Sequence, residues 1–295
     1  MAGWDEVLRE VSSVPNVLDT TREKYIEQLS KLTGRNTICY YSSFLTKQAQ
    51  NTGIIDNDIN GFMTAIKGMD CSRGLDLILH TQGGSPEAAE AIVSYLKAKF
   101  GNNIRVIVPQ IAMSAGTMIA CAAKEIFMGK HSSLGPIDPQ FGGGIPAYNV
   151  VWEFNQARES LRKNPTDINY WRLRIQQYPA SFLKSALDAI SLSSELASNW
   201  LASNMFAMDA DKDNKVKRVV EHLNEHDMSK THGRHFDIDK CRSYGLVINA
   251  LEDDQKLQDA VLSVHHSCMI SIDKTNIIKI IEGNKGRRVL ITQNV

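Results

Sequence analysis

The segment Leu75-Asp76-Leu77-Ile78-Leu79-His80-Thr81-Gln82-Gly83-Gly84-Ser85-Pro86 indicates the fold of this chain. Its first five residues have the apolar content of a buried strand, and the glycine pair predicts a sharp turn. Pro86 suits the first turn of a helix, which we predict to extend to Phe100. The segment therefore predicts a strand, a turn and a helix in immediate succession.

The same alternation continues on both sides of this segment. We predict strands at Thr37–Tyr41, Ile104–Val108 and Ile126–Met128, and a further helix at Ala115–Ala123. Strands and helices that alternate in this way form right-handed βαβ crossovers. The sequence therefore predicts an α/β fold with a parallel central sheet.

The remaining sequence predicts mainly helices. We expect an N-terminal helical segment over residues 1–35, an α/β core over 36–146, and a helical region over 147–295 that carries a histidine loop. This last region is expected to end in a helix and an edge strand. The predicted helices outside the core cover residues 4–11, 21–32, 147–162, 168–177, 179–190, 195–205, 215–226 and 255–266, and the edge strand covers 288–291.

The composition excludes several classes of protein. The chain has 295 residues, with 33 Lys and Arg against 33 Asp and Glu, so no net field attracts nucleic acid. Five scattered cysteines without a Cys-x-x-Cys pair predict reduced thiols in the cytoplasm rather than a disulfide framework or a zinc knuckle. The N-terminus does not have the pattern of a secretory signal. Residues 106–123 are largely apolar, but Pro109 and a Ser-Ala-Gly break predict strand, turn and helix rather than a membrane span.

A candidate for chemical activity follows the predicted strand at Ile104–Val108. Ser114 lies between small residues at the predicted start of a helix, and ligands in parallel sheets bind beyond the carboxyl ends of strands. Acyl transfer needs a nucleophile in a tight turn and backbone N–H groups aimed at the oxyanion. Ser114 is thus a candidate nucleophile, with Gly83, Gly84 and Ala115 as candidate oxyanion donors. From spacing alone, a simple turn and a packing serine are the commoner explanation of these residues.

Three motifs taken together resemble a known family. Leu79–Ser85, Ala112–Thr117 and Leu134-Gly135-Pro136-Ile137-Asp138-Pro139-Gln140 are similar to the serine dehydrogenase proteinase family of the Clp-protease and crotonase-like superfamily. The resemblance extends from about Thr33 to the predicted helix around Asp259. It implies a Clp/crotonase-like fold and a serine peptidase that cleaves peptide or amide bonds through an acyl-enzyme.

The resemblance also implies a serine, aspartate, histidine triad in that chain order. Asp138 would orient the base, and His232 in Thr231-His232-Gly233 matches the family's histidine loop, with His235 as the second candidate. Lys163 is an alternative base by analogy with signal peptide peptidases, although its charged neighbours indicate an exposed helix end. Asp138 as a turn cap and His232 as a solvated loop residue stay open as structural readings.

Further expectations concern cofactors and partners. The sequence contains neither a phosphate-binding Gly-x-x-x-x-Gly-Lys-Ser/Thr loop nor a Gly-x-Gly-x-x-Gly after a strand, so no cofactor and no metal are expected. Gln82 stands where relatives usually have proline, which puts the rigidity of the glycine loop in question. The resemblance implies a homo-oligomer and a peptide or protein substrate, and it leaves an ATPase partner undetermined. The competing functions are a crotonase-like acyl-CoA thioester enzyme and a non-catalytic scaffold.

Overall fold

The strands in the described part of this chain form one large sheet and two small ones. In this computed structural model, residues 17–142, 144–224 and 231–293 are described, and the helix predicted at 4–11 lies outside them. The strands are β1 (Asn36–Ser42), β2 (Leu75–His80), β3 (Ile104–Val108), β4 (Ile111–Ala112), β5 (Glu125–Met128), β6 (Ser133–Leu134), β7 (Gln140–Phe141), β8 (Ile145–Pro146), β9 (Ile248–Ala250), β10 (Ile277–Gly283) and β11 (Arg288–Thr292).

The central sheet has the strand order β11-β10-β1-β2-β3-β5-β9 within the described residues. Neighbouring strands from β1 to β9 are parallel, whereas β10 pairs antiparallel with β1 and β11 pairs antiparallel with β10. The predicted α/β fold with a mostly parallel central sheet is therefore confirmed.

The described helices cover the two faces of this sheet or pack on other helices. They are α1 (Val17–Thr33), α2 (Asp58–Ile66), α3 (Pro86–Phe100), α4 (Ala115–Cys121), α5 (Ala147–Lys163), α6 (Ile168–Ile175), α7 (Phe182–Ser203), α8 (Lys212–Asn224), α9 (Ile238–Tyr244) and α10 (Gln255–Lys274). None of the described helices combines the length and the apolar character needed to cross a bilayer.

Successive residues of the central strands alternate between two hydrophobic cores. Leu77 and Leu79 belong to the core shared with α2, α3, α4, α7 and α8, whereas Ile78 belongs to the core shared with α1 and α10. Because side chains of a strand alternate between faces, a strand that is buried on both faces is largely apolar. This three-layer packing explains why β2 is apolar apart from Asp76 and His80, both of which are buried.

Two predictions for the second half of the chain were wrong. The separate helices predicted at 179–190 and 195–205 are the single helix α7. The serine cluster does not interrupt it, and Ser194 Oγ donates to Ile190 O at 2.9 Å within the helix. The region 147–295 also contributes β9 and β10 to the central sheet, where no strand was predicted, whereas β11 covers the predicted edge strand. In β10, Lys279 and Glu282 are fully buried in ion pairs. The sequence did not predict this strand, because two charged residues in a short segment are typical of an exposed one.

His80, the last residue of β2, is buried within a group of aromatic rings. It lies against Tyr41, Phe44 and His265, with ring centroids 5.4, 5.0 and 5.6 Å away. Burial lowers the pKa of His80 to about 4, and the backbone of Ile111 offsets only part of this effect. Burial and the charge of His80 likewise lower the pKa of His265.

This burial predicts a loss of stability in acid. The pKa of His80 is about 4 in the folded protein and near 6.5 in the unfolded chain, so the unfolded chain takes up the proton first as the pH falls. As the pH falls from 6.5 to 4, His80 should therefore lower the free energy of unfolding by roughly 3 kcal/mol. Above pH 6.5 it should have no such effect. Thermal unfolding as a function of pH should show a shallower acid loss for His80→Phe than for wild type. His222→Gln serves as the control, and parallel curves for His80→Phe and wild type would contradict this account.

Candidate active site

Two neighbouring strand ends form the centre of the candidate site. Beyond β2 and β3 the chain continues as a short parallel pairing of Thr81 with Ala112. Thr81 N–H donates to Ile111 O at 3.1 Å, and Met113 N–H donates to Thr81 O at 3.0 Å. These bonds place the glycine pair directly beside Ser114.

Gly83 makes the closest contact between the two loops. Its φ is +100°, and a Cβ at this position would lie 2.7 Å from both Met113 O and Ser114 Cβ. Such a distance is far inside van der Waals contact, and one of the clashing atoms is a main-chain oxygen. Only glycine allows the main chains of the two loops to approach this closely.

Ser114 occupies a strained turn immediately before α4. Its φ of 52° and ψ of −120° are unusual for a residue with a side chain. Gly116 lets α4 pack against Thr81, directly after β2, because a Cβ there would lie 2.5 Å from Thr81 Cγ2. The packing around Ser114 therefore maintains a backbone conformation that serine does not favour by itself.

The backbone N–H groups at this junction are not equivalent. Gly83 N–H donates to Thr81 Oγ1 at 3.1 Å, whereas the N–H groups of Gly84 and Ala115 have no acceptor within the described part of the chain. Of the three predicted oxyanion donors, Gly84 and Ala115 are thus available to a ligand. Gly83 shapes the loop instead.

Asp138 and His232 form a hydrogen-bonded pair. Asp138 is fully buried, and its Oδ1 lies 2.8 Å from Nδ1 of His232, whose side chain is 28% exposed. The second carboxylate oxygen accepts a bond from Gln140 Nε2 at 2.8 Å. Burial and the charge of Asp138 raise the pKa of Tyr148, which places another polar group near the carboxylate. Sequence reasoning did not single out Gln140 or Tyr148.

One pairing between distant segments brings Asp138 and His232 together. Leu134 and Phe236 form an antiparallel bridge, with N–H to O distances of 3.0 and 2.8 Å. Asp138 follows Leu134 by four residues, and His232 precedes Phe236 by four. The bridge therefore fixes both members of the pair with the same two hydrogen bonds.

Thr117 connects this pair to the turn at Ser114. Its buried hydroxyl donates to Ala112 O at 2.9 Å and accepts from Gly135 N–H at 3.0 Å. It thus ties α4 to the segment that leads to Asp138. A hydroxyl in an otherwise apolar helix was the only sequence signal for this role.

Ser114, His232 and the two available N–H groups face the same cavity. The cavity has a volume of about 980 Å³, and Met118, Ile137 and Phe141 give it an apolar wall. The side chains of Ser114 and His232 line this cavity, and no hydrogen bond joins them. The geometry therefore brings the Ser114 hydroxyl, the His232 imidazole and two backbone N–H groups to one space large enough for a peptide segment.

Comparison with known proteins identifies the family. A family model described as "ClpP-like SDH-type serine proteinase" matches residues 52–261, which is most of the chain. The chain belongs to this family. The predicted family and fold are confirmed, and the family is one of serine proteinases.

Two proteins of Methanocaldococcus jannaschii, described as uncharacterized proteins MJ0137 and MJ1495, are similar to part of this SDH-type chain. The first is 45% identical over 94 residues, which is 32% of this chain and 32% of the relative. The second is 48% identical over 87 residues, which is 30% of this chain and 29% of the relative. The chain thus spans about a third of the length of these curated relatives.

The other candidate bases of this SDH-type chain lie elsewhere. His235 Nδ1 lies 2.7 Å from Ser133 Oγ, and neither residue lines the cavity. Lys163 is exposed at the C-terminal end of α5 and does not line the cavity either. The structure therefore brings His232, and neither alternative, to the space beside Ser114.

The close approach at Gly83 predicts a sharp effect of one added methyl group. In Gly83→Ala, the Cβ would displace Met113 and Ser114, so labelling of Ser114 by a fluorophosphonate should slow by about 100-fold or more. Gly68→Ala is the matched control, because Gly68 has a similar φ of +86° but open space around its Cβ position. Equal labelling rates for the two variants would show that the close approach does not matter.

Proposed function

We propose that this chain is a serine peptidase that hydrolyses peptide or amide bonds through an acyl-enzyme on Ser114. One observation carries the proposal. Ser114, His232 and the free N–H groups of Gly84 and Ala115 surround one cavity, while buried Asp138 holds His232 from behind. These are the parts that acyl transfer requires.

The hydrogen bond to Asp138 assigns the state of the imidazole. With the Nδ1–H of His232 donating to the carboxylate, Nε2 carries a lone pair and is the base. His232 Nε2 takes the proton from Ser114 Oγ as the oxygen attacks the substrate carbonyl carbon. Asp138 stabilises the imidazolium that results, without taking up the proton itself.

The carbonyl electron pair moves onto oxygen in this step. Gly84 and Ala115 donate their N–H groups to that oxyanion, which forms only during attack. When the intermediate collapses, the carbon–nitrogen bond breaks and the leaving amine takes the proton from His232. Water then attacks the acyl-enzyme by the same sequence and releases the acid and the free hydroxyl of Ser114.

The cavity lining and the backbone of Ser114 each disfavour one of the two competing functions. A crotonase-like enzyme uses glutamates as acid and base, but among the described residues that line the cavity Glu87 is the one carboxylate. A scaffold would have no need for the strained backbone of Ser114, a feature that proteins retain mainly at functional sites. Both observations favour the peptidase.

We also propose a cytoplasmic location and self-association. The five cysteines are all free, which fits a reducing compartment. The helical segment from α5 to α6 leaves Trp152, Tyr170 and Leu173 more than 60% exposed, which fits burial between subunits.

Light scattering should give a mass above that of one chain, and a monomer at micromolar concentration would refute self-association.

Labelling by a fluorophosphonate tests the proposed catalytic residues. Intact mass should show one adduct on the wild type and none on Ser114→Ala, because the hydroxyl is the group that reacts. His232→Ala should label at least about 100-fold more slowly, since it lacks the base. His235→Ala is the matched control and should label like the wild type. Unchanged labelling of Ser114→Ala would refute the proposal, and loss in His235→Ala alone would assign the base to His235.

A further inference from the structure

Lys279 in β10 forms a buried ion pair with Asp58 at the start of α2. Both side chains are fully buried, and Lys279 Nζ lies 2.7 and 2.9 Å from the two carboxylate oxygens. Burying two charges is costly, and a hydrophobic pair of similar volume often stabilises a fold as well or better. Stability alone is therefore a weak explanation for this pair.

The third bond of the ammonium group reaches outside the ion pair. Lys279 Nζ donates to Gly53 O at 2.7 Å, and Asp58 Oδ2 accepts from Ile55 N–H at 3.0 Å. Tyr40 OH also donates to Asp58 Oδ2, at 2.7 Å. Lys279 and Asp58 thus hydrogen-bond to the two ends of the irregular segment 53–55, at Gly53 O and at Ile55 N–H.

This segment in turn holds the glycine loop. Ile54 N–H donates to Gly83 O at 2.8 Å, and Ser85 N–H donates to Ile54 O at 2.9 Å. A Cβ on Gly53 would lie only 3.0 Å from Gly83 O. Because Gly83 and Gly84 have no side chains to pack, their positive φ angles are maintained by main-chain bonds of this kind.

We propose that Lys279 is a positioning residue for the glycine loop, which carries Gly83 and Gly84. It holds Gly53, the adjoining Ile54 holds the glycine pair, and the pair aims Gly84 N–H at the cavity. This role rests on the proposed function of Gly84 as an oxyanion donor. Lys279 lies outside residues 52–261, so the family match does not include it.

The test compares Lys279→Met with Glu282→Gln. Both changes remove one charge from a fully buried ion pair of β10, but Glu282 pairs with Arg22 and does not bond residues 53–55. Met cannot donate to Gly53 O. If Lys279→Met folds poorly, Lys279→Met with Asp58→Asn carries the test, since it leaves no buried unpaired charge at this site.

Two readouts separate positioning from stability. Hydrogen exchange should be faster in Lys279→Met at the amides of Ile54 and Ser85, and unchanged there in Glu282→Gln. The maximal rate of fluorophosphonate labelling should fall about tenfold or more, while the concentration for half-maximal rate changes little, because the oxyanion forms only during attack. The double variant should label as slowly as the single variant, even where its melting temperature recovers.

Unchanged exchange at Ile54 and Ser85, or equal labelling by Lys279→Met and Glu282→Gln, would overturn the inference. A wild type that is not labelled at Ser114 refutes the proposed function instead. In that case the exchange rates alone decide whether Lys279 holds the glycine loop.

Discussion

The contact between the main chain of Gly83 and the turn at Ser114 is the constraint on which this site depends. A single Cβ at residue 83 would lie 2.7 Å from a main-chain oxygen, so the two loops touch through their backbones. The parallel sheet makes this contact possible, because β2 and β3 end side by side and the Thr81–Ala112 pairing extends them. The strained φ of Ser114 and the positive φ of Gly83 are the local cost of the arrangement.

The rest of the structure secures this contact from several directions. Thr117 links the helix after Ser114 to the segment of Asp138, and the Leu134–Phe236 bridge brings in His232. The Asp138–His232 pair and the Ser114 turn therefore meet at one cavity. The Ser114 hydroxyl and the His232 imidazole line this cavity without a hydrogen bond between them. Catalytic hydrogen bonds are often long before substrate binds and tighten only in the reacting complex.

Much of the fold follows from local sequence, whereas the site depends on distant contacts. The apolar runs and the glycine turn predicted the α/β fold, because a strand buried on both faces has a clear composition. Strand β10 was missed, since Lys279 and Glu282 look like surface residues until their buried partners are known. His232 was placed before His235 only because its loop resembles the family's histidine loop. The two lie three residues apart, and only the three-dimensional contact with Asp138 distinguishes them.

A crystal structure of the covalent phosphonate adduct would test the central claim most directly. We predict phosphorus bonded to Ser114 Oγ, with the phosphoryl oxygen about 2.7–3.1 Å from the N–H nitrogens of Gly84 and Ala115. His232 should lie within hydrogen-bond distance of Ser114 Oγ while keeping its bond to Asp138. A phosphoryl oxygen directed away from the glycine loop, or bonded to other donors, would contradict the account.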